Sequence, residues 1–136
     1  MKKELVNVPG FNQVLKPNGD PVVPLNWATK AGGFVFVSGL PPIIPETGEM
    51  VKGNIEEQTR QSIENVKRVL EAAGSCLENA MKVTVYCSNS GYFERVNNVY
   101  RQYFGKDAPA RTFVTVGSWM MDFDIEIECV AVENSE

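Results

Sequence analysis

The stretch "NIEEQTRQSIENVKRVLEAAG", residues 54–74, decides how the rest of the chain is arranged. Asn54 followed three residues later by Glu57 resembles a capping box, in which side chains satisfy backbone N–H groups that a helix start leaves without partners. Behind it Ile55, Ile63, Val66, Val69, Leu70 and Ala73 recur at helical spacing, and Gly74 supplies the stop. A helix with one apolar face needs a surface to cover, and the flanking segments read as strands. Upstream, "WATKAGGFVFVSG" (27–39) offers two extended runs around Gly32 and Gly33, a pair suited to a tight hairpin turn. Downstream, "MKVTVYC" (81–87) alternates, with Val83, Val85 and Cys87 on one face.

Further along, Tyr92, Phe93, Val96, Val99, Tyr100, Tyr103 and Phe104 recur at threes and fours before Gly105, a second helix whose aromatic stripe reads as core. Strands are expected at 111–116 and 124–132, a short extended segment at 4–8, loop from there through Pro24, and a turn between Pro45 and Gly48. The resulting order predicts an α+β sheet with two helices on one face.

Composition narrows the function. At 136 residues the chain fits one domain, 1–136, with the apolar and charged fractions (43% and 22%) of a soluble globule. No apolar run is long enough to span a bilayer, and "MKKELVNV" lacks the apolar core of a secretory signal, so a cytoplasmic location is the default expectation. Cys76, Cys87 and Cys129 have neither disulfide-framework nor zinc spacing, and Cys87 and Cys129 read as buried thiols. A net charge of −4 without a basic block argues against a nucleic-acid partner. There is no histidine, which removes Ser-His-Asp and Cys-His mechanisms. Neither a phosphate-binding loop nor a metal-ligand cluster is evident.

Alternation sorts the last strands into faces. Thr112, Val114 and Val116 share one side and Arg111, Phe113 and Thr115 the other, while Ile125, Ile127, Cys129 and Ala131 oppose Glu126 and Glu128. If helices cover the apolar faces, the far side of the sheet carries Arg111, the two glutamates and an aromatic, a mixed surface suited to meeting another copy of the chain around a cleft. Arginine's planar fork matches a carboxylate and keeps its charge, so Arg111 is a candidate anchor for an acidic metabolite. The competing reading pairs Arg111 with Glu126 or Glu128 across the sheet. Ser38 either contacts a ligand or completes a turn, Gly39 permits close backbone approach, and Asn97 either touches substrate or braces its helix.

From about Phe34 to Val132 the chain resembles the Rid family, the YjgF-like reactive intermediate deaminases. The segments that carry the resemblance are "FVSG", "PETGEMVKGNIEEQTRQSIENVKRVLEAAG", "MKVTVYCSNSGYFERVNNVYRQYFG", "PART" and "IEIECVAV", in the family's order and spacing. It implies a chorismate-mutase-like subunit that assembles as a homotrimer, sheets inward and helices outward, with ligand clefts between neighbours. It also implies hydrolysis of an enamine or imine acid to a keto acid and ammonia, without metal or organic cofactor. Carried over by position, Arg111 matches the arginine that binds the substrate carboxylate and Glu126 the carboxylate that positions or activates water. Ser38 and Asn97 match cleft residues.

The match departs from the family's pattern at several places. Leu25 stands where a tyrosine is common, with Trp27 two residues on, Phe113 where a cysteine is frequent, and Trp119 and Met120 where leucine and proline are usual. These changes imply either a larger or more apolar substrate or simple repacking of a subunit seam. A non-catalytic module binding a small carboxylate is the main rival function, and a ribonuclease fits least because of the charge balance and the missing histidine.

Overall fold

The computed structural model describes residues 1–11, 14 and 22–135. Its strands are β1 (Glu4–Leu5), β2 (Ala28–Ala31), β3 (Phe34–Leu40), β4 (Ala80–Cys87), β5 (Ala110–Thr115) and β6 (Ile125–Val132), and its helices α1 (Ile55–Ala72) and α2 (Phe93–Phe104). The strands form one six-stranded sheet in the order β1-β2-β3-β6-β4-β5. The α+β architecture expected from the sequence is therefore present. β1 is shorter than the extended segment read at 4–8, and most of the loop expected before Pro24 lies outside the described residues.

Local signals explain the elements that frame the sheet. The β2–β3 hairpin turns at Gly32 and Gly33, whose φ values of 59° and 86° are left-handed at both positions, as a tight hairpin turn requires. Asn54 caps α1, its side-chain oxygen accepting from the Glu57 N–H at 2.9 Å. Ile63, Val69 and Leu70 are fully buried against the sheet, each worth roughly 1.5–3 kcal/mol of apolar burial.

The buried face of α1 is not purely apolar, and its polar groups pin the end of β3. Ser62 Oγ donates to the Leu40 carbonyl at 2.6 Å, and Asn65 Nδ2 donates to the carbonyls of Pro41 and Ile43 at 3.1 and 2.8 Å. Gln58 Nε2 donates to Asp124 Oδ2 at 3.1 Å while its Oε1 accepts from the Asp124 N–H at 2.8 Å, tying α1 to the entry of β6. The irregular segment after β3 cannot satisfy these carbonyls with a ladder, so the helix does it.

The two sheet faces differ. Val35, Val37, Val83, Val85, Ile125, Ile127, Cys129 and Ala131 are buried in the core that α1 and α2 share, whereas Phe34 and Phe36 are nearly half exposed on the other side. The strand faces read for β4 and β6 hold. That of β5 does not. β5 runs parallel to β4 with Arg111 opposite Val83 and Phe113 opposite Val85, and both valines are fully buried under the helices. Arg111 and Phe113 consequently point to the helix layer, while Thr112 and Val114 face the open side. Arg111 thus does not share the far face with Glu126 and Glu128, because Glu126 lies opposite Tyr86 and Glu128 opposite Thr84 in the alternate positions of β4.

Replacing Asn54 by Ala removes the cap and is expected to cost about 1 kcal/mol. Urea unfolding checks it: the midpoint falls with an unchanged slope, and an unmoved midpoint contradicts the capping role.

Candidate functional site

Arg111 is the second residue of β5, and its side chain extends over α2. Nη1 donates to Asn97 Oδ1 at 2.7 Å. The guanidinium carbon sits 4.8 Å from the centre of the Tyr100 ring, 5.6 Å from that of Phe93 and 6.0 Å from that of Phe113. Ring faces attract the cation without neutralising it, and the Asn97 amide orients it with a neutral acceptor. Among the described residues no carboxylate forms an ion pair with Arg111, which sets aside pairing with Glu126 or Glu128. Asn97 therefore braces the arginine rather than the helix, and four of the five guanidinium N–H donors remain for another acceptor. Beneath it, burial pushes the Tyr100 phenol up to about 12, opposed by the arginine's charge, so the ring stays neutral.

A second group of residues occupies the open face. β3 and β6 lose register between Val37, which faces Cys129, and Leu40, which faces Ile127, so that Ser38 and Gly39 together oppose Glu128. This bulge brings the backbone of Gly39 against Glu126. A Cβ on Gly39 would lie 2.8 Å from both Cδ and Oε2 of that carboxylate, so a side chain there would expel it. Ser38 Oγ donates to the Asn26 carbonyl at 2.6 Å and its N–H donates to the Trp27 carbonyl at 2.9 Å, so the hydroxyl braces the segment before β2.

Glu126 has no cation beside it among the described residues. Burial first, and the negative charge of Glu128 second, raise its carboxyl above the usual carboxylate range. Glu128, two residues on along the same face, accepts a hydrogen bond from the Tyr86 hydroxyl. That bond first, then burial, pushes the Tyr86 phenol up to about 12 and keeps it a donor. A partly desolvated carboxylate whose proton affinity is raised can take a proton from water and return it.

The remaining expected site residues fall elsewhere. Trp27 is only 6% exposed, its indole N–H donating to the Phe11 carbonyl at 3.3 Å and its ring edge-on to Phe11, so it is core and not a cleft wall. Leu25 is exposed on the segment before β2, and Trp119 stacks on Phe123 with ring centres 4.5 Å apart. Neither makes a ring contact or hydrogen bond with Arg111 or Glu126. Phe93, read from its spacing as core, is 40% exposed and packs edge-to-face on Phe113 beside the arginine. Tyr86 belongs to the carboxylate face as well, which its alternation with Val85 and Cys87 already implies. No group of three or more metal-ligating side chains occurs among the described residues, and no described helix is long and apolar enough to cross a membrane.

The sheet carries an arginine without a carboxylate partner among the described residues on its helix-backed face and a half-buried carboxylate on the other, within an α+β subunit. The family model described as Endoribonuclease L-PSP matches residues 16–133. A RutC family protein of Pyrococcus horikoshii is 50% identical over 111 residues, covering 82% of this chain and 88% of that protein. The reactive intermediate deaminase A, chloroplastic, of Arabidopsis thaliana is 37% identical over 108 residues, covering 79% of this chain and 58% of that protein. The crystal structure of E. coli TdcF with bound serine superposes with a TM-score of 0.82 at 30% identity, covering 96% of this chain and 99% of that one. The chain belongs to the YjgF/Rid family.

The raised Glu126 carboxyl has a consequence for stability. Between the ordinary value of the unfolded chain and the higher folded value, the folded state holds the proton more tightly, so stability falls as pH rises through that window. Glu126→Gln removes this penalty. Thermal unfolding is expected to show a higher midpoint for the variant at pH 7, with the gap closing below about pH 4; a lower midpoint at pH 7 contradicts the burial argument.

Proposed function

We propose that this protein hydrolyses reactive enamine or imine acids to keto acids and ammonia, in a site that two copies of the chain complete. The observation that carries the reading is the Arg111 guanidinium, fixed by Asn97 at 2.7 Å and left without a carboxylate partner among the described residues. Its open donors suit a substrate carboxylate, and its fixed orientation sets the adjacent C=N carbon in place. Glu126 serves as the base. It takes a proton from water as the oxygen adds to that carbon and passes it to the nitrogen, giving a carbinolamine; it then takes the hydroxyl proton as the C=O forms and passes it to the nitrogen, which leaves as ammonia when the C–N bond breaks. Enamines enter after tautomerising to the imine. The chemistry requires orientation and modest proton transfer, which the groups present can supply without histidine.

Arg111 and Glu126 lie on opposite faces of one sheet, so a single chain does not join them. Assembly as a homotrimer, with the open sheet faces inward, brings the Arg111 group of one copy to the Glu126, Ser38 and Gly39 group of its neighbour. The half-exposed Phe34 and Phe36 on the open face favour such burial. The Arabidopsis relative's name, a reactive intermediate deaminase, supports the same activity.

Binding a small carboxylate without turnover is the second reading, favoured by the serine in the TdcF structure. The two separate experimentally. A dehydratase acting on serine or threonine generates 2-aminoacrylate or 2-iminobutyrate in place, and keto acid release is timed with and without this protein. The expected result is acceleration, reduced by at least about 100-fold in kcat/KM for Arg111→Ala. No acceleration, with saturable keto acid binding retained, contradicts the enzyme and supports the binder.

A further inference from the structure

The inference here rests on the reading of Arg111 as the carboxylate anchor and concerns the rest of the substrate. We propose that Phe93 and Phe113 form the side-chain subsite, and that the protein selects 2-imino and 2-oxo acids with branched aliphatic or aromatic side chains over the smallest and over charged ones.

The geometry begins at the anchor. A carboxylate seated on Arg111 places the carbon bearing the side chain one bond further out, within reach of rings whose centres lie 5.6 and 6.0 Å from the guanidinium carbon. These rings meet at 82° with centres 5.1 Å apart, forming a corner of one ring face and one ring edge. Neither carries a hydrogen-bonding group. Phe93 opens α2 and is 40% exposed, whereas Val96, Val99 and Phe104 on the same helix are buried in the core. An exposed aromatic held edge-to-face beside an uncompensated cation fits a ligand with an anionic head and an apolar tail.

Two of the polar groups nearby are engaged. The Asn97 carbonyl oxygen is taken by Arg111, and the Arg95 guanidinium, two residues from Phe93, is paired with Glu56 at 2.7 Å. A carboxylate-bearing side chain in this corner would lose hydration against two apolar rings. A methyl group would leave the exposed part of Phe93 uncovered. A branched or aromatic side chain covers it, and each buried carbon adds to affinity.

Calorimetric titration of the intact protein with pyruvate, 4-methyl-2-oxopentanoate and 2-oxoglutarate tests this without requiring catalysis. The branched acid is expected to bind at least about tenfold tighter than pyruvate, with 2-oxoglutarate weaker than the branched acid. Phe113→Ala and the surface change Phe93→Ser are each expected to bring the branched-to-pyruvate ratio below about threefold. Equal binding of pyruvate and the branched acid by the unaltered protein overturns the proposal whether or not the variants fold. So does a ratio that survives both substitutions, including one accompanied by a changed oligomeric state in light scattering. The intact order of affinities with no imine hydrolysis overturns the catalytic reading alone; hydrolysis with no preference overturns the subsite alone.

Discussion

The placement of both charged groups follows from the registers of β4 with its two neighbours, parallel to β5 and antiparallel to β6. β5 aligns Arg111 with Val83, and Val83 is fully buried beneath the helices, so the arginine has to extend over α2. β6 aligns Glu126 with Tyr86, one position out of phase with the buried valines, so the carboxylate lies on the open face. Because side chains alternate strictly along a strand, no rotamer change moves either group through the sheet. The two charges are kept apart by covalent geometry, each without a neutralising partner among the described residues, and both remain available to a third party.

Keeping a charge in that state takes supporting structure. On the helix side three rings and one amide hold the guanidinium where a carboxylate would have been simpler and more stabilising. On the open side a bulge, an absent Cβ at Gly39 and the polar groups of α1 that grip Leu40, Pro41 and Ile43 together fix the floor beneath Glu126. Glu128, tethered by Tyr86, adds repulsion that a purely structural sheet would avoid. Two acidic groups on one face and an orphaned cation on the other lower stability for the isolated chain. Function is the economical reason to retain them.

The parts of the fold legible in the sequence are those whose cause is local. Asn54 and Glu57 marked the start of α1, Gly32 and Gly33 the hairpin, and the spacing of Ile63, Val66 and Leu70 the buried face. The sidedness of β5 was not legible, for a physical reason. It is an edge strand whose residues are half-buried or exposed on both sides, so its alternation carries no sign, and its register with β4 is set by the α2 crossover. Trp27 failed for a related cause, since the position of an aromatic next to a strand says nothing about which layer claims it until Phe11 is in place. Phe93 lay at helical spacing with core residues, yet it sits at the first turn, where the helix has not fully entered the core. Candidate residues were thus recognisable by type and motif, while their partners depended on long-range pairing.

The central claim is that a working site takes its arginine from one copy of the chain and its glutamate from another. The direct measurement is complementation: Arg111→Ala and Glu126→Gln proteins, each inactive alone, are dissociated together in equal amounts, reassembled and assayed for imine hydrolysis. If the site is shared, random mixing restores about a quarter of the unaltered activity, since that fraction of clefts receives both intact groups. If the mixture stays as inactive as its components although mixed assemblies form, both groups act within one chain and the account is contradicted.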